Sequence, residues 1–210
     1  MSSFATQQWI ATLPTDQVLG TLAHELRQPL SNIEAIAYYL RMVLPQGDVK
    51  IQAHLARIRE LVEQSNWILS SALSLAAAGP GTPQPVSLET LVTESVSSSS
   101  ALQEDVRLAL GGDLPLVRLD PREGREMVES LLMLFRTMAD GAGPITVTTS
   151  ARPEGGVTME IQTPGACSSG VAGSQLAIES VRRIAASHGG TFAVDASGAA
   201  GGIRGRLMLP

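Results

Sequence analysis

The stretch from residue 16 to residue 44 reads DQVLGTLAHELRQPLSNIEAIAYYLRMVL. Its apolar residues recur at steps of three and four, which is the repeat of about 3.5 residues found along the seam of a helix bundle. The stretch therefore predicts one long amphipathic helix. The seam residues are Leu19, Leu22, Leu26, Leu30, Ile33, Ile36, Leu40 and Val43.

A second helix is predicted directly after the first one. The segment Pro45-Gln46-Gly47-Asp48 interrupts the helical pattern, which resumes from residue 49 to residue 77. Two helices joined by so short a loop lie antiparallel. An isolated hairpin leaves much of its apolar surface in water, so we expect two copies of the chain to form a four-helix bundle. A compact monomer, in which the rest of the chain covers the hairpin, is the alternative.

Composition narrows the class of protein. The chain has 210 residues, of which 44% are hydrophobic and 17% charged, as in a globular protein. A formal net charge of −5 argues against a nucleic-acid-binding surface, and the single cysteine excludes an internal disulfide framework and a cysteine-based zinc site. Neither a membrane-spanning apolar run nor a signal peptide is recognisable, so we expect a cytoplasmic protein.

The remainder of the chain mixes helical and strand patterns. Gly and Pro mark residues 79–85 as a linker between a first domain, residues 1–78, and a second domain, residues 86–210. Helices are predicted at 86–96, 122–139 and 174–187. Strands are predicted at 145–149, 157–162, 191–194 and 204–209, with a strand or hairpin at 106–119. The fold class is therefore α+β: a helical hairpin, and then an α/β sandwich.

His24 is the candidate reactive residue of the first helix. It lies two residues from Leu22, which turns its side chain about 200° away from the seam and towards solvent. An exposed neutral imidazole is a nucleophile, and Glu25 beside it can accept a ring proton. The alternative is an ordinary surface histidine next to a solvating carboxylate.

The sequence His-Glu-Leu-Arg-Gln-Pro-Leu, which begins at His24, resembles the phosphoacceptor box of bacterial sensor histidine kinases. That family carries the box on the first helix of a helical hairpin, followed by an ATP-binding α/β domain. The resemblance implies that His24 carries a phosphoryl group and that Glu25 assists as a base. It also implies that Arg27 orients a phosphoryl oxygen or a partner carboxylate. Gln28 would position a water that hydrolyses a partner's phosphoaspartate, and a plain polar surface residue is its alternative.

The second domain resembles the ATP-binding domain of the same family, but most residues expected to touch nucleotide are changed. Ser130 and Leu134 stand where two asparagines belong, and the second asparagine would hold Mg²⁺. Leucine cannot do so, because this cation requires oxygen ligands. Thr163 replaces the aspartate that reads adenine, and Gln175 replaces a glycine of the phosphate-binding box. Of the adenine-reading box only Gly165 is kept, and the mobile lid is reduced to a few residues.

These changes imply a branch in which the hairpin is kept and the ATP site has decayed. The resemblance then implies a histidine phosphotransferase of two-component signalling, which passes a phosphoryl group between receiver-domain aspartates through His24. Its partners would be response-regulator receiver domains and a second copy of the chain. The receiver would bring Mg²⁺, so no cofactor or metal is expected on this chain, and ATP-dependent autokinase activity is not expected. The alternatives are a histidine kinase with a divergent ATP site and a non-catalytic pseudokinase or adaptor that binds receivers.

Overall fold

Two long helices form the first unit of the chain. The computed structural model describes residues 15–45, 47–76, 81–165, 171–195 and 202–210. Helix α1 spans Thr15–Val43 and helix α2 spans Val49–Ala76, and the two pack against each other as an antiparallel hairpin. Both predicted helices are confirmed. Residue 77, the expected end of the second helix, lies outside the described residues.

The hairpin packs through small residues of α1. Ala23 and Ala37 are 3% and 2% exposed, and Leu30 and Leu44, at the same spacing of seven residues, are half-buried. The predicted single seam is therefore wrong in part, because the alanines let α2 approach one side of it and leave the other side uncovered. Five seam residues are 42–58% exposed, and we call them the exposed apolar stripe: Leu22, Leu26, Ile33, Ile36 and Val43.

The second unit combines helices and strands. The first unit comprises residues 1–78, and the second comprises residues 79–210. The helices are α3 (Leu88–Ser97), α4 (Ser100–Asp105), α5 (Pro121–Ala139) and α6 (Ser174–Ser187). The strands are β1 (Gln84–Val86), β2 (Val106–Ala109), β3 (Val117–Leu119), β4 (Ile145–Ala151), β5 (Val157–Gln162), β6 (Thr191–Asp195) and β7 (Arg204–Leu209).

The main sheet is mixed. Its five strands lie in the order β2-β4-β5-β7-β6, with β2 parallel to β4 and every other pair antiparallel. Residues on one face alternate with those on the other, and the buried face, which includes Val147, Ile161 and Leu207, packs on the helical layer of α5 and α6. This arrangement confirms the predicted α/β sandwich.

Two local predictions needed correction. The segment 106–119 is not a hairpin: β2 joins the main sheet, whereas β3 pairs with β1 in a separate two-stranded sheet. Strand β1 begins at Gln84, inside the segment expected to be a linker, of which residues 79 and 80 lie outside the described residues. Short strands and single-turn helices carry too little periodicity to be recognised from sequence.

Helix α5 has a well-defined beginning. The carboxylate of Asp120 accepts hydrogen bonds from the backbone N–H groups of Arg122 at 2.8 Å, Glu123 at 3.3 Å and Thr82 at 2.9 Å. Partial burial raises the pKa of Asp120, but these donors outweigh it, and the net pKa is lowered. Asp120 thus caps the helix and fixes the chain entering from β1.

Candidate functional site

His24 lies on α1, and its side chain is exposed to solvent. Glu25 and Gln28, on the same part of the helix, are exposed as well. The predicted outward direction of His24 is therefore confirmed. An exposed imidazole can meet the reactive group of a partner directly, without any opening of the protein. The roles predicted for Glu25 and Gln28 stay predictions.

Arg27 differs from these neighbours because it is half-buried. Its Nη2 atom donates a hydrogen bond to the Oγ atom of Ser70 on α2, at 3.0 Å. The side chain is thus held between the two helices, one turn away from His24 on the same helix. Sequence reasoning found Arg27 but missed Ser70, because nothing in a serine-rich helix marks one serine as the partner of a residue 43 positions away.

The nucleotide positions in α5 are packed into the core. Ser130 is 3% exposed, and Leu134 is completely buried, as are its neighbours Leu131 and Phe135. A buried hydrocarbon side chain offers no oxygen to a divalent cation. The residues present at this position therefore do not fit Mg²⁺.

Thr163 is also buried, and its hydroxyl is occupied within the protein. It accepts a hydrogen bond from the backbone N–H of Ile203 at 2.9 Å and lies 3.3 Å from the carbonyl oxygen of Gly165, to which it can donate. The backbone N–H of Thr163 also donates to the carbonyl of Ile203 at 3.0 Å. This residue ties the end of β5 to the start of β7, and it carries no carboxylate that could read an adenine amino group.

Gln175 lies in the first turn of α6 and is exposed. The preceding Gly173 has a φ angle of +84° and, as a glycine, offers no side chain to cap this helix. Among the residues that the structure describes, the first turn of α6 therefore keeps backbone N–H groups without a side-chain acceptor, and such groups suit an anion.

His188 and Glu123 form a pair that was not predicted. The Nε2 atom of His188 lies 2.7 Å from Oε2 of Glu123, and the histidine side chain is buried. The pair joins the end of α6 to the first turn of α5. This placement agrees with a structural role for His188.

No group of three or more His, Cys, Asp or Glu side chains among the described residues is arranged to hold a metal ion. None of the described helices combines the length and the hydropathy that a membrane span requires.

Comparison with known proteins finds sequence similarity to histidine kinases. No model of a protein family matches the chain. It is 30% identical over 151 residues to the methanogenesis regulatory histidine kinase FilI of Methanothrix harundinacea (strain 6Ac), covering 69% of this chain and 17% of that protein. It is 28% identical over 210 residues to the sensor histidine kinase ZraS of Escherichia coli O157:H7, covering 90% of this chain and 44% of that protein. The chain thus spans less than half the length of these curated relatives.

Solved structures share the fold. The full-length structure of ShkA in complex with AMPPNP matches with a TM-score of 0.59 and 22% identity over 94% of this chain and 46% of that chain. The cytoplasmic segment of the histidine kinase QseC matches with a TM-score of 0.53 and 20% identity over 70% of this chain and 92% of that chain. Both are similar to this chain in their arrangement of helices and strands.

Proposed function

Because the chain is similar in sequence to histidine kinases and shares their fold, we propose that it belongs to the sensor histidine kinase family and is a phosphotransfer protein of two-component signalling, with His24 as its phosphoacceptor. The observation that carries the proposal is the contrast between His24 and Leu134. His24 is exposed, whereas Leu134, where a ligand of Mg²⁺ is expected, is completely buried. His24 is therefore accessible to a phosphoryl donor, whereas the side chain of Leu134 offers no oxygen to Mg²⁺.

The proposed step exchanges one bond to phosphorus for another. The unprotonated ring nitrogen of His24 attacks the phosphorus of an aspartyl phosphate on a receiver domain. The P–O bond to the aspartate breaks, a P–N bond to His24 forms, and the aspartate leaves as a carboxylate. Glu25 accepts the proton that the other ring nitrogen can release. The reverse step hands the phosphoryl group to a second receiver, which supplies the Mg²⁺ that such transfer requires.

The face of α1 that carries His24 also suits a large partner. His24, Ser31 and Tyr38 follow one another at intervals of seven residues, and Met42 lies one turn beyond Tyr38. All four are exposed, with Tyr38 at 57% and Met42 at 61%. Fourteen residues of helix extend about 21 Å, which is within the span of a standard protein interface. We therefore place the receiver on this face, in the cytoplasm.

The exposed apolar stripe supports a homodimer. It lies on a different side of α1 from His24, since Ile36 and Tyr38 are two residues and thus about 200° apart. A second copy of the chain covers such a stripe by a twofold axis and completes a four-helix bundle, without blocking His24.

A histidine kinase with a divergent ATP site is the second candidate. Both of these curated relatives are named as histidine kinases, and this observation favours a kinase over nucleotide-independent transfer. The uncapped first turn of α6 is the place at which a phosphate chain would bind. A receiver-binding adaptor without phosphotransfer is the third candidate.

Two labelling reactions separate the candidates. In one, the full chain is incubated with Mg²⁺ and radiolabelled ATP; in the other, with a labelled phospho-receiver. His24→Ala is compared with His54→Ala, since His54 is the other exposed histidine of the hairpin. We expect acid-labile label from the receiver alone, lost in His24→Ala and kept in His54→Ala. Label from ATP on His24 establishes the kinase, and label from neither donor leaves the adaptor.

A further inference from the structure

The half-buried position of Arg27 sets it apart among the polar residues that surround His24. Glu25 and Gln28 extend into solvent, whereas the Arg27 guanidinium bonds across the hairpin to Ser70 Oγ at 3.0 Å. A free arginine side chain has many rotamers, and fixing them on binding costs free energy. The tether to Ser70 has already removed part of this freedom.

The acceptor is neutral, so the charge of Arg27 remains available. A guanidinium has five N–H donors, of which Ser70 engages one. Residues three and four positions away on α1 include no carboxylate, and among the described residues no ion pair involves Arg27. A positively charged fork with unused donors thus lies one helical turn from His24.

We propose that Ser70 is a positioning residue for phosphotransfer: it holds the Arg27 guanidinium where its remaining donors bind the phosphoryl group on His24. This inference rests on the proposed role of His24. Arginine and phosphate match in geometry, because two parallel N–H groups can bind two phosphoryl oxygens. Ser70 acts through Arg27 and does not itself contact the phosphoryl group.

Serine at this position keeps the tether separate from the charge. An aspartate there would hold Arg27 as firmly, but it would pair with the guanidinium and present a negative charge to the phosphoryl group. If the tether is merely structural, Ser70→Asp should form phosphohistidine at the normal rate. If the tether positions Arg27 for an anion, Ser70→Asp should form it more slowly. The two explanations can be separated by this single substitution.

Phosphoramidate is a suitable donor for the test, because it requires neither a receiver nor ATP. Its P–N bond breaks, a P–N bond to the imidazole forms, and ammonia leaves. The full chain carries His54→Ala, so that His24 and the buried His188 are the histidines that remain. The rates of formation and loss of phosphohistidine are followed by ³¹P NMR, with His24→Ala as the blank.

We expect Ser70→Thr to behave as the starting protein. We expect Ser70→Ala to form phosphohistidine about fivefold more slowly, which corresponds to the loss of one typical hydrogen bond, and Ser70→Asp about tenfold more slowly or worse. In the Arg27→Ala background Ser70→Ala should have no further effect, because Ser70 acts through Arg27. Thermal unfolding of Ser70→Asp should match that of the starting protein.

Any one of the following results would overturn the proposal: equal rates in Ser70→Ala and the starting protein, full activity in Ser70→Asp, or no phosphohistidine at His24 from phosphoramidate. An effect of Ser70→Ala that persists without Arg27 would equally reject it. The same variants are then given a phospho-receiver. If phosphoramidate gives the expected series and the receiver gives no transfer, the positioning role stands and the proposed function fails.

Discussion

Truncating the centre of the exposed apolar stripe should separate the two copies of the chain. Ile36 is 58% exposed, and we propose that a second copy covers it. The matched control is Tyr38, which is 57% exposed but lies on the opposite side of α1, with His24. The two variants, Ile36→Ala and Tyr38→Ala, remove similar amounts of exposed apolar surface from one helix.

The magnitude follows from the exposed fraction. Full burial of an isoleucine side chain stabilises by about 1.5–3 kcal/mol, and somewhat more than half of that remains to be gained at Ile36. Truncation therefore costs about 1–1.5 kcal/mol per copy. A twofold interface contains the residue twice, so the dimer loses about 2–3 kcal/mol. At 1.4 kcal/mol per factor of ten, the dimer Kd rises about 30- to 150-fold.

Sedimentation equilibrium over a wide range of protein concentration measures this Kd. Tyr38→Ala should leave it within about threefold of the wild-type value. A wild-type chain that stays monomeric at every concentration would refute the reasoning. So would an Ile36→Ala variant that dimerises as well as Tyr38→Ala, because the stripe would then not be the interface.

The remaining predictions concern the second unit and the receiver-binding face. Asp120→Ala should lower the free energy of unfolding by about 1 kcal/mol at pH 7, as for a lost helix cap, and chemical denaturation checks it. The folded-state pKa of Asp120 is lowered, so its charge stabilises the fold above about pH 4, and this stabilisation is lost as the pH falls through the folded pKa. The difference in free energy of unfolding between the wild type and Asp120→Ala should therefore become smaller in acid. Gly205→Ala would place Cβ 2.5 Å from Cζ of the buried Phe135 and should destabilise by about 1–3 kcal/mol; an unchanged denaturation midpoint would contradict this packing. Leu134→Asn should destabilise by about 1–3 kcal/mol without creating ATP binding, and calorimetric titration with Mg²⁺ and ATP tests the second part. Tyr38→Ala should weaken the binding of a receiver domain, measured by the same calorimetric method, and equal affinity would exclude this face.

Much of the secondary structure could be predicted because its signal is local. The apolar repeats of three and four residues predict the long helices α1 and α2. Helix α6 begins and ends at the predicted residues Ser174 and Ser187. In contrast, the short α4 and the separate partners of β2 and β3 were missed, since a strand of three or four residues does not indicate which sheet it joins.

Only part of the candidate site could be predicted from local sequence signals. The outward direction of His24 depends on its angle from neighbours on its own helix, which the sequence contains. The tether of Arg27 depends on Ser70 of another helix, and the burial of Thr163 depends on Ile203 of another strand. Neither partner carries a recognisable signal of its own.

The sequence by itself determined which residues share a face of α1, because the helical repeat follows from the order of side chains along the chain. Only the tertiary structure decided which face each neighbour takes. Ala23 and Ala37 drew α2 to one side by letting two backbones approach closely, and this left Ile36 in water. Apolar periodicity predicts that a helix face is buried. Which element packs on that face depends on the size of the side chains at the contact, and these come from residues far apart in sequence.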